Sequence, residues 1–230
     1  MKEIVKAEEG EVFDIELEVD ILRANEQLAQ ENKILLSTHG VVAIDIMGSI
    51  GAGKTSLIEQ LVRLLKDKYR IAAFKGDLTT TIDAELIARH GVDVVPINTG
   101  KECHLDANLV RKALQQIDLK HLDLLFIENV GNLICPAEFP LGSAKRIVVI
   151  SVTEGPYMVI KHPFIFIDAD VVVINKVDLA QAMNVDVKKL EAEVRMINPK
   201  AKVAVTNCRS GEGIKKVIEA LDINITNEQV

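Results

Sequence analysis

The sequence predicts an α/β protein in which helices cover both faces of a mostly parallel, seven-stranded sheet. From residue 41 onward, short runs rich in Val, Ile and Leu alternate with helical patterns. The runs are continuously apolar, as is typical of strands buried on both faces, and their alternation with helices is typical of parallel sheets. Aromatic residues make up 3% of the chain and Trp is absent, so aliphatic residues must form the core.

Seven apolar runs are predicted to be strands, at residues 41–46, 70–74, 92–97, 122–127, 146–152, 170–175 and 202–207. An amphipathic helix is predicted at residues 55–69, between the first two runs. Sheets of this kind bind their ligands at the carboxyl ends of the strands. The chemical motifs of this chain lie at such ends.

Residues 1–40 are predicted to form an arm that precedes a single domain at residues 41–230. Apolar and acidic residues alternate from 13 to 20, which predicts a half-buried strand. Apolar residues then recur at helical spacing from 21 to 36, and Gly40 is predicted to end this helix. The helix either packs on its own domain or contributes to a dimer contact.

Composition excludes several classes of function. The net charge of −7 argues against a protein that grips nucleic-acid backbones. No apolar run reaches the roughly 18 residues of a membrane span, and the first residues are too acidic for a signal peptide. A cytoplasmic location is therefore expected, without nucleic acid or membrane as partner. The three cysteines do not suggest a disulfide framework, so they are expected to bind metal, take part in catalysis or pack.

The first predicted strand leads into GSIGAGKTS, which satisfies the pattern G-x-x-x-x-G-K-[ST]. In such a loop, backbone N–H groups surround phosphate oxygens, Lys54 brings a positive charge to the β- and γ-phosphates, and the Thr55 hydroxyl can bind Mg²⁺. The helix that follows adds the positive end of its dipole. These features predict the three-layer fold of P-loop nucleotide hydrolases, with a phosphate site formed by Gly48, Ser49, Ile50, Gly51, Ala52, Gly53, Lys54, Thr55 and Ser56.

NKVD, residues 175–178, resembles the guanine-reading motif of GTPases and follows the sixth predicted strand. The carboxylate of Asp178 can accept hydrogen bonds from the N1–H and the amino group of guanine, a donor pair that adenine lacks. The end of the last strand is where GTPases close over the base. The predicted base site therefore contains Asn175, Lys176, Asp178, Asn207 and Cys208, with Cys208 as a packed residue and not a metal ligand.

ENVG, residues 128–131, resembles the D-x-x-G switch of GTPases with Glu in place of Asp. Glu128 is predicted to bind Mg²⁺ and Gly131 to sense the γ-phosphate, so hydrolysis would release the following loop. Asp77 is either a further magnesium ligand, a helix N-cap or a turn residue. The predicted catalytic residues are thus Lys54, Thr55, Glu128 and Gly131, and the predicted magnesium ligands are Thr55, Asp77 and Glu128.

Slow GTP hydrolysis is expected from the residue that follows the switch glycine. Asn132 stands where many small GTPases have a Gln that orients water, and the sequence offers no obvious arginine finger. Turnover is therefore expected to depend on dimerisation or on a partner.

Cys103, His104 and Cys135 are candidate ligands for a second metal ion. Cys135 comes four residues after Gly131, and the Cys103–His104 pair follows a neighbouring strand, so both belong to one edge of the sheet. Two thiolates and an imidazole suit Zn²⁺ or Ni²⁺. Three ligands leave one position open, which a symmetric dimer would complete. Alternatively, Cys103 or His104 simply begins the helix predicted at 105–117.

These motifs together resemble the hydrogenase nickel-incorporation GTPases of the HypB family, over almost the whole chain from about residue 14. The matching strings are GSIGAGKTS, KGD, INTGKECHLDA, FIENVGNLICPAEF, ISVTEG and NKVDL. The Cys-Pro-His motif of the similar urease accessory GTPases is absent.

The resemblance implies a homodimer that GTP forms or tightens, with nickel or zinc on Cys103, His104 and Cys135 near its interface. It also implies nickel delivery to the large subunit of a [NiFe]-hydrogenase, together with the small zinc-containing accessory protein HypA. Many family members carry a Cys- or His-rich N-terminus, whereas this chain has no Cys before Cys103 and no His before His39. Nickel capture by the arm is therefore not expected.

The leading hypothesis is a GTP-hydrolysing metallochaperone in which γ-phosphate loss moves the loop from Glu128 to Cys135 and frees the metal. A second hypothesis is a GTPase that serves another metalloenzyme, such as urease or a cobalamin-dependent mutase. A third is a nucleotide-dependent dimerising scaffold in which the three ligands hold structural zinc.

Overall fold

The computed structural model describes residues 15–77, 82–100 and 102–223. The strands within these ranges are β1 (Val42–Gly48), β2 (Ile71–Asp77), β3 (Asp93–Asn98), β4 (Leu124–Glu128), β5 (Lys145–Ser151), β6 (Val171–Asn175) and β7 (Lys202–Val205). They form one sheet in the order β3-β2-β4-β1-β5-β6-β7. Every pairing between neighbouring described strands is parallel.

The helices cover the sheet. They are α1 (Ile15–Thr38), α2 (Lys54–Leu65), α3 (Ile82–Ala88), α4 (Ala107–Leu114), α5 (Cys135–Glu138), α6 (Met158–Lys161), α7 (Phe164–Ile167), α8 (Val187–Ile197) and α9 (Ile214–Leu221). Helix α1 precedes β1, α9 follows β7, and the others connect successive strands. Short 3₁₀ turns occupy Leu119–His121, Val152–Glu154 and Val177–Leu179. Among the described residues, no helix combines the length and the apolar character that crossing a bilayer requires.

All the strands predicted from sequence are present, with ends that shift by at most three residues. The largest shift is at the end of β2, which continues past its apolar run through Lys75 and Gly76 to Asp77. It continues because Lys75 pairs with Pro96 of β3 on one side and with Glu128 of β4 on the other. This pairing brings a lysine beside the predicted magnesium ligand.

Alternate residues of the central strand β1 face opposite sides of the sheet, because strand side chains alternate in direction. Ile44 and Ile46 pack with α2 and α9 on one side. Ala43 packs with α1 and α4, and Met47 with α6, α7 and α8, on the other. The prediction of helices on both faces of a parallel sheet is confirmed.

The prediction of a strand at residues 13 to 20 is wrong for its described part, because α1 already begins at Ile15. Residues 13 and 14 lie outside the described ranges. Alternation of polar and apolar residues stabilises a strand only beside a partner strand. The described sheet ends at β3 and β7, and residues 15 to 20 pair with neither edge. The predicted helix end is confirmed, since α1 stops at Thr38 and Gly40 follows with φ +71°.

The buried face of α1 also differs from the predicted apolar face. Ile21 is 50% exposed, whereas the buried stripe consists of Asn25, Ala29, Asn32 and Leu36. Two asparagines thus occupy core-facing positions that periodicity assigns to apolar residues.

Candidate functional site

The predicted phosphate loop connects β1 to α2 and folds around the head of Lys54. Its Nζ donates to the carbonyl oxygens of Gly48 at 3.0 Å and Ser49 at 2.9 Å. Burial lowers the pKa of Lys54 to about 8. Gly48 cannot be replaced without movement, because its φ is +149° and a Cβ there would lie 2.2 Å from the Val149 carbonyl oxygen.

Asn175 ties the phosphate loop to the end of β7. Its Nδ2 donates to the Ala52 carbonyl oxygen at 2.9 Å, while its Oδ1 accepts from the Cys208 backbone nitrogen at 3.0 Å. A Cβ on Gly53 would lie 2.2 Å from Asn175 Nδ2, so only glycine fits this approach. The structure therefore brings together all three segments predicted to contact the nucleotide.

A cavity of about 550 Å³ lies next to the phosphate loop, at the predicted base site. Lys176 borders it with its Nζ 2.6 Å from the Gly51 carbonyl oxygen, and Asp178 is exposed at its edge. The other predicted residues that line it are Gly53, Ser56, Asn175, Asn207 and Cys208. Cys208 is 2% exposed and its burial raises the thiol pKa to about 11, so the prediction that it is a packed residue is confirmed.

A second cavity, of about 470 Å³, lies at the other end of the phosphate loop. Thr55 Oγ1 donates to Glu128 Oε1 at 2.9 Å, and the same oxygen accepts from Lys75 Nζ at 2.7 Å. Asp83 Oδ2 lies 3.4 Å from both Thr55 Oγ1 and Lys75 Nζ. The lining also includes Ile50, Gly51, Gly53, Lys54, Ser56, Asp77 and Gly131.

The second cavity fits Mg²⁺ by the chemistry of its oxygen atoms. Glu128 Oε2 is buried without a hydrogen-bond partner among the described residues, while Oε1 has two. Burial raises the pKa of Glu128, and the adjacent Lys75 opposes that rise. A buried carboxylate oxygen of this kind is stabilised by a cation, and the carboxylates and hydroxyl beside it are the hard ligands that Mg²⁺ takes.

Asp77 is the last residue of β2 and lines the second cavity together with Thr55 and Glu128. This position favours the magnesium alternative. Lys75 and Asp83 were not predicted as site residues. The KGD string contained a signal for Lys75, but Asp83 reaches the site only through the tertiary position of α3.

Gly131 contacts the phosphate loop directly. A Cβ at position 131 would lie 2.3 Å from Ile50 Cγ1 and 2.9 Å from the Ile50 backbone nitrogen. The next residue, Asn132, forms an isolated antiparallel bridge with Gly48. The predicted switch segment therefore lies against the loop that would hold the phosphates.

Cys103, His104 and Cys135 converge as predicted from sequence. The Sγ atoms of Cys103 and Cys135 are 3.0 Å apart, and Cys103 Sγ is 3.9 Å from His104 Nδ1. A ligand atom from each residue lies within 4.8 Å of the other two, and this is the single cluster of that kind among the described residues. Cys103 is exposed and the other two are half-buried. The arrangement offers two sulfurs and one nitrogen to a metal ion.

The loop before α4 allows adjacent residues to face one point. The alternative in which Cys103 or His104 begins the helix is wrong, because α4 starts at Ala107 and the Asp106 side chain caps it by accepting from Leu109 N at 2.7 Å. The His104 ring packs on Phe139, with centroids 3.9 Å apart. Burial lowers the pKa of His104, and the hydrogen bond that the Cys135 thiol shares with Cys103 is the main cause of the raised pKa of Cys135.

Asn129 connects the two candidate sites and was not predicted from sequence. It follows Glu128 in the chain and is fully buried. Its Oδ1 accepts from the backbone nitrogens of Leu105 and Val130, both at 3.0 Å, and its Nδ2 lies 3.4 Å from Asp45 Oδ1. The residue after His104 is thus held by the residue after Glu128.

Comparison with known proteins adds a family and several relatives. Residues 42–205 match the family model described as CobW/HypB/UreG, nucleotide-binding domain. The probable hydrogenase maturation factor HypB of Methanocaldococcus jannaschii is 54% identical over 92% of this chain and 96% of its own length.

Two solved structures share the fold closely. HypB from Archaeoglobus fulgidus superposes with a TM-score of 0.81 and 45% identity over 86% of this chain and 97% of that one. HypB from Helicobacter pylori, solved in complex with nickel, superposes with a TM-score of 0.80 and 30% identity over 90% of this chain and 100% of that one.

Proposed function

This chain belongs to the HypB hydrogenase maturation factors of the CobW/HypB/UreG family, and on this basis we propose that it is a GTP-hydrolysing metallochaperone. In this proposal it inserts nickel during maturation of a [NiFe]-hydrogenase. One observation carries the proposal. The short segment from Glu128 to Cys135 contains two groups of interest. One is a buried carboxylate at the phosphate end of the nucleotide site, and the other is a sulfur of the candidate metal site formed by Cys103, His104 and Cys135.

GTP is the proposed nucleotide. Asp178 stands at the edge of the base cavity with its carboxylate exposed, where it can accept from the two donors of guanine. Lys176 lines the same cavity and reaches toward Gly51. Asn175 supports the site by fastening the phosphate loop to the backbone of Cys208, beside Asn207.

Hydrolysis is proposed to use Lys54, Thr55, Glu128 and Gly131. Mg²⁺, held by Thr55, Glu128 and Asp77, would neutralise charge on the β- and γ-phosphates. Lys54 binds the same phosphates. Gly131 lies against Ile50 of the phosphate loop, and from there its N–H detects the γ-phosphate. Lys75 favours the charged form of Glu128 and holds its Oε1 at 2.7 Å.

Slow intrinsic turnover is proposed because Asn132 is already engaged. Its Oδ1 accepts from the Ile134 backbone nitrogen at 2.9 Å, so the amide is turned into its own loop instead of toward a nucleophilic water. An additional group from a partner or a second copy would therefore accelerate hydrolysis.

Coupling between the two sites is proposed to follow two short routes, one along the chain and one through a hydrogen bond. Cys135 is four residues from Gly131, and Asn129 holds the backbone of Leu105 beside His104. Movement of residues 128–131 on loss of the γ-phosphate would therefore move the metal ligands on both loops, the one with Cys103 and His104 and the one with Cys135. A coupling of about 1–3 kcal/mol, roughly 5- to 150-fold in metal affinity, is typical of such linkage.

A homodimer tightened by GTP is proposed to complete the metal site. The cluster supplies three ligands and Cys103 is exposed, so a ligand from a second copy can approach. Ni²⁺ is the proposed cargo, with Zn²⁺ as the alternative ion for the same ligands. The proposed partners are a HypA-type zinc accessory protein and the hydrogenase large subunit, in a reducing cytoplasm that keeps the thiols free.

A division into an arm at residues 1–40 and a nucleotide-binding domain at residues 41–230 is also proposed. The start of the family match at residue 42, after the end of α1 at Thr38, supports it.

The test is a Ni²⁺ titration of the protein loaded with GDP or with a non-hydrolysable GTP analogue, in competition with a chromogenic chelator. We expect affinities that differ by about fivefold or more between the two states, and loss of binding in His104→Ala. His121→Ala is the matched control, since His121 is exposed and pairs with Asp118 outside both sites. Equal affinities in the two states would contradict the coupling and favour the dimerising scaffold.

A further inference from the structure

Helix α1 buries two asparagines where an amphipathic helix ordinarily buries apolar side chains. Asn25 is 6% exposed and Asn32 is fully buried. A buried amide without partners is unfavourable by about 1–3 kcal/mol for each unsatisfied group, so these side chains need specific acceptors and donors. Their partners lie on the two chain segments that carry the candidate metal ligands, one with Cys103 and His104 and the other with Cys135.

Asn25 bridges both segments with one side chain. Its Oδ1 accepts from the backbone nitrogen of Ala107 at 2.7 Å, and its Nδ2 donates to the carbonyl oxygen of Pro140 at 2.9 Å. Ala107 is the first residue of α4, whose N–H has no partner inside the helix, and it is three residues after His104. Pro140 is five residues after Cys135.

Asn32 makes the same connection two turns further along α1. Its Nδ2 donates to the carbonyl oxygens of Ala107 at 2.8 Å and Leu141 at 3.2 Å. Its Oδ1 accepts from Arg111 Nε at 2.6 Å. Both polar groups of the Ala107 backbone are therefore bound by α1, and each asparagine also binds the segment that follows Cys135.

Packing reinforces the hydrogen bonds. Gly142 lies against α1 so closely that a Cβ there would be 2.4 Å from the Ala29 carbonyl oxygen and 2.7 Å from Asn32 Cβ. Leu36 of α1 shares one buried cluster with Leu105 and Leu141, which belong to the two ligand segments. The helix thus contacts both segments through apolar as well as polar groups.

From this geometry we propose that α1 is a clamp that sets the separation of Cys103 and His104 from Cys135, with Asn25 and Asn32 as its positioning residues. The inference rests on the proposed function in taking these three residues as metal ligands. Holding ligands at their bound separation raises affinity, because the ordering is complete before the ion arrives. The helix therefore serves the metal site without contributing a ligand.

The experiment measures how closely the two thiols are held, with no metal present. Full-length protein is equilibrated with reduced and oxidised glutathione, so that two thiols are oxidised to the Cys103–Cys135 disulfide while oxidised glutathione is reduced to two thiols. The disulfide fraction, read by mass spectrometry after alkylation, gives the effective concentration of one thiol at the other. Cys208 is buried and does not compete.

We expect this effective concentration to fall about tenfold in Asn25→Ala, and Zn²⁺ affinity to fall with it, while GDP affinity is unchanged. Gln27→Ala is the matched control, because Gln27 also carries an amide on α1 but is exposed, and its side chain lies near Glu31 of the same helix. Asn25→Asp serves if the alanine variant fails to fold. It keeps an acceptor for Ala107 N, loses the donor to Pro140, and should lower both quantities.

The outcomes separate the clamp from the proposed function. If both Asn25 variants match Gln27→Ala in thiol proximity, the clamp is contradicted, even where wild-type Ni²⁺ affinity depends on the nucleotide. If thiol proximity falls but wild-type Ni²⁺ affinity is the same with GDP and with the GTP analogue, the clamp stands and the nucleotide coupling fails.

Discussion

The side-chain oxygen of Asn129 accepts a hydrogen bond of 3.0 Å from the backbone nitrogen of Leu105. Asn129 follows Glu128, which lines the candidate phosphate site, and Leu105 follows His104 of the candidate metal site. The bond is buried, where water cannot replace it, so a displacement of either backbone is transmitted to the other.

Asn129→Ala is therefore expected to weaken the communication between the sites. The ratio of Ni²⁺ affinities in the GTP-analogue and GDP states should fall roughly fivefold, because the 103–105 loop no longer follows residue 128. Paired chelator titrations in the two states measure the ratio. Gln27→Ala, at an exposed amide of α1, is the control. A wild-type ratio in the Asn129 variant would contradict this role.

Asp178→Ala is expected to weaken GTP binding on the order of a hundredfold, since two charge-assisted hydrogen bonds to guanine are lost. Affinity for ATP should change little, because adenine lacks the matching donors. Fluorescent-nucleotide displacement measures both. Asp67→Ala, at an exposed carboxylate outside the cavity, should behave as wild type. Parallel losses for both nucleotides would rule out base reading by Asp178.

Lys75→Met is expected to destabilise the protein by about 3 kcal/mol, because it leaves the Glu128 carboxylate buried and unpaired. Adding Glu128→Gln should restore much of the stability, since the buried charge is then removed. GTP hydrolysis should stay lost in the double variant, because the Glu128 carboxylate is no longer there for Mg²⁺. Urea denaturation and single-turnover hydrolysis give the two readings. A double variant less stable than Lys75→Met would contradict the view that Lys75 stabilises the protein by pairing with the buried charge of Glu128.

Stability is expected to fall as pH rises from about 4 to about 6. Burial raises the pKa of Asp45 from 3.8 to about 6, so the folded state holds this proton more tightly than the unfolded state. The folded state is therefore favoured below about pH 4 and loses about 3 kcal/mol of that advantage as the proton is released near pH 6.

Asp45→Asn removes this contribution, so the stability difference between variant and wild type should grow in favour of the variant across the same range. Urea denaturation at about pH 4.5 and about pH 7 measures it, and comparing the two proteins cancels the titration of Glu128, whose pKa burial also raises. A difference that is the same at both pH values would contradict a raised Asp45 pKa.

The parallel sheet and the loop around Lys54 follow from local features of the sequence. A continuous apolar run indicates a strand buried on both faces wherever it occurs, and the glycines around Lys54 are required by the backbone itself, as the contacts at Gly48 and Gly53 illustrate. The convergence of Cys103, His104 and Cys135 also follows, because parallel strands deliver their carboxyl ends to one edge.

Tertiary structure alone decided which polar side chains are buried and what they bind. Asn25 reaches Ala107 across 82 residues of sequence, and Lys75 reaches Glu128 across 53. Periodicity indicates which apolar side chains share a face, but a hydrogen bond depends on where a distant segment places its backbone. The alternating residues at 15 to 20 form helix for the same reason, since a strand needs a partner that the described sheet does not offer there.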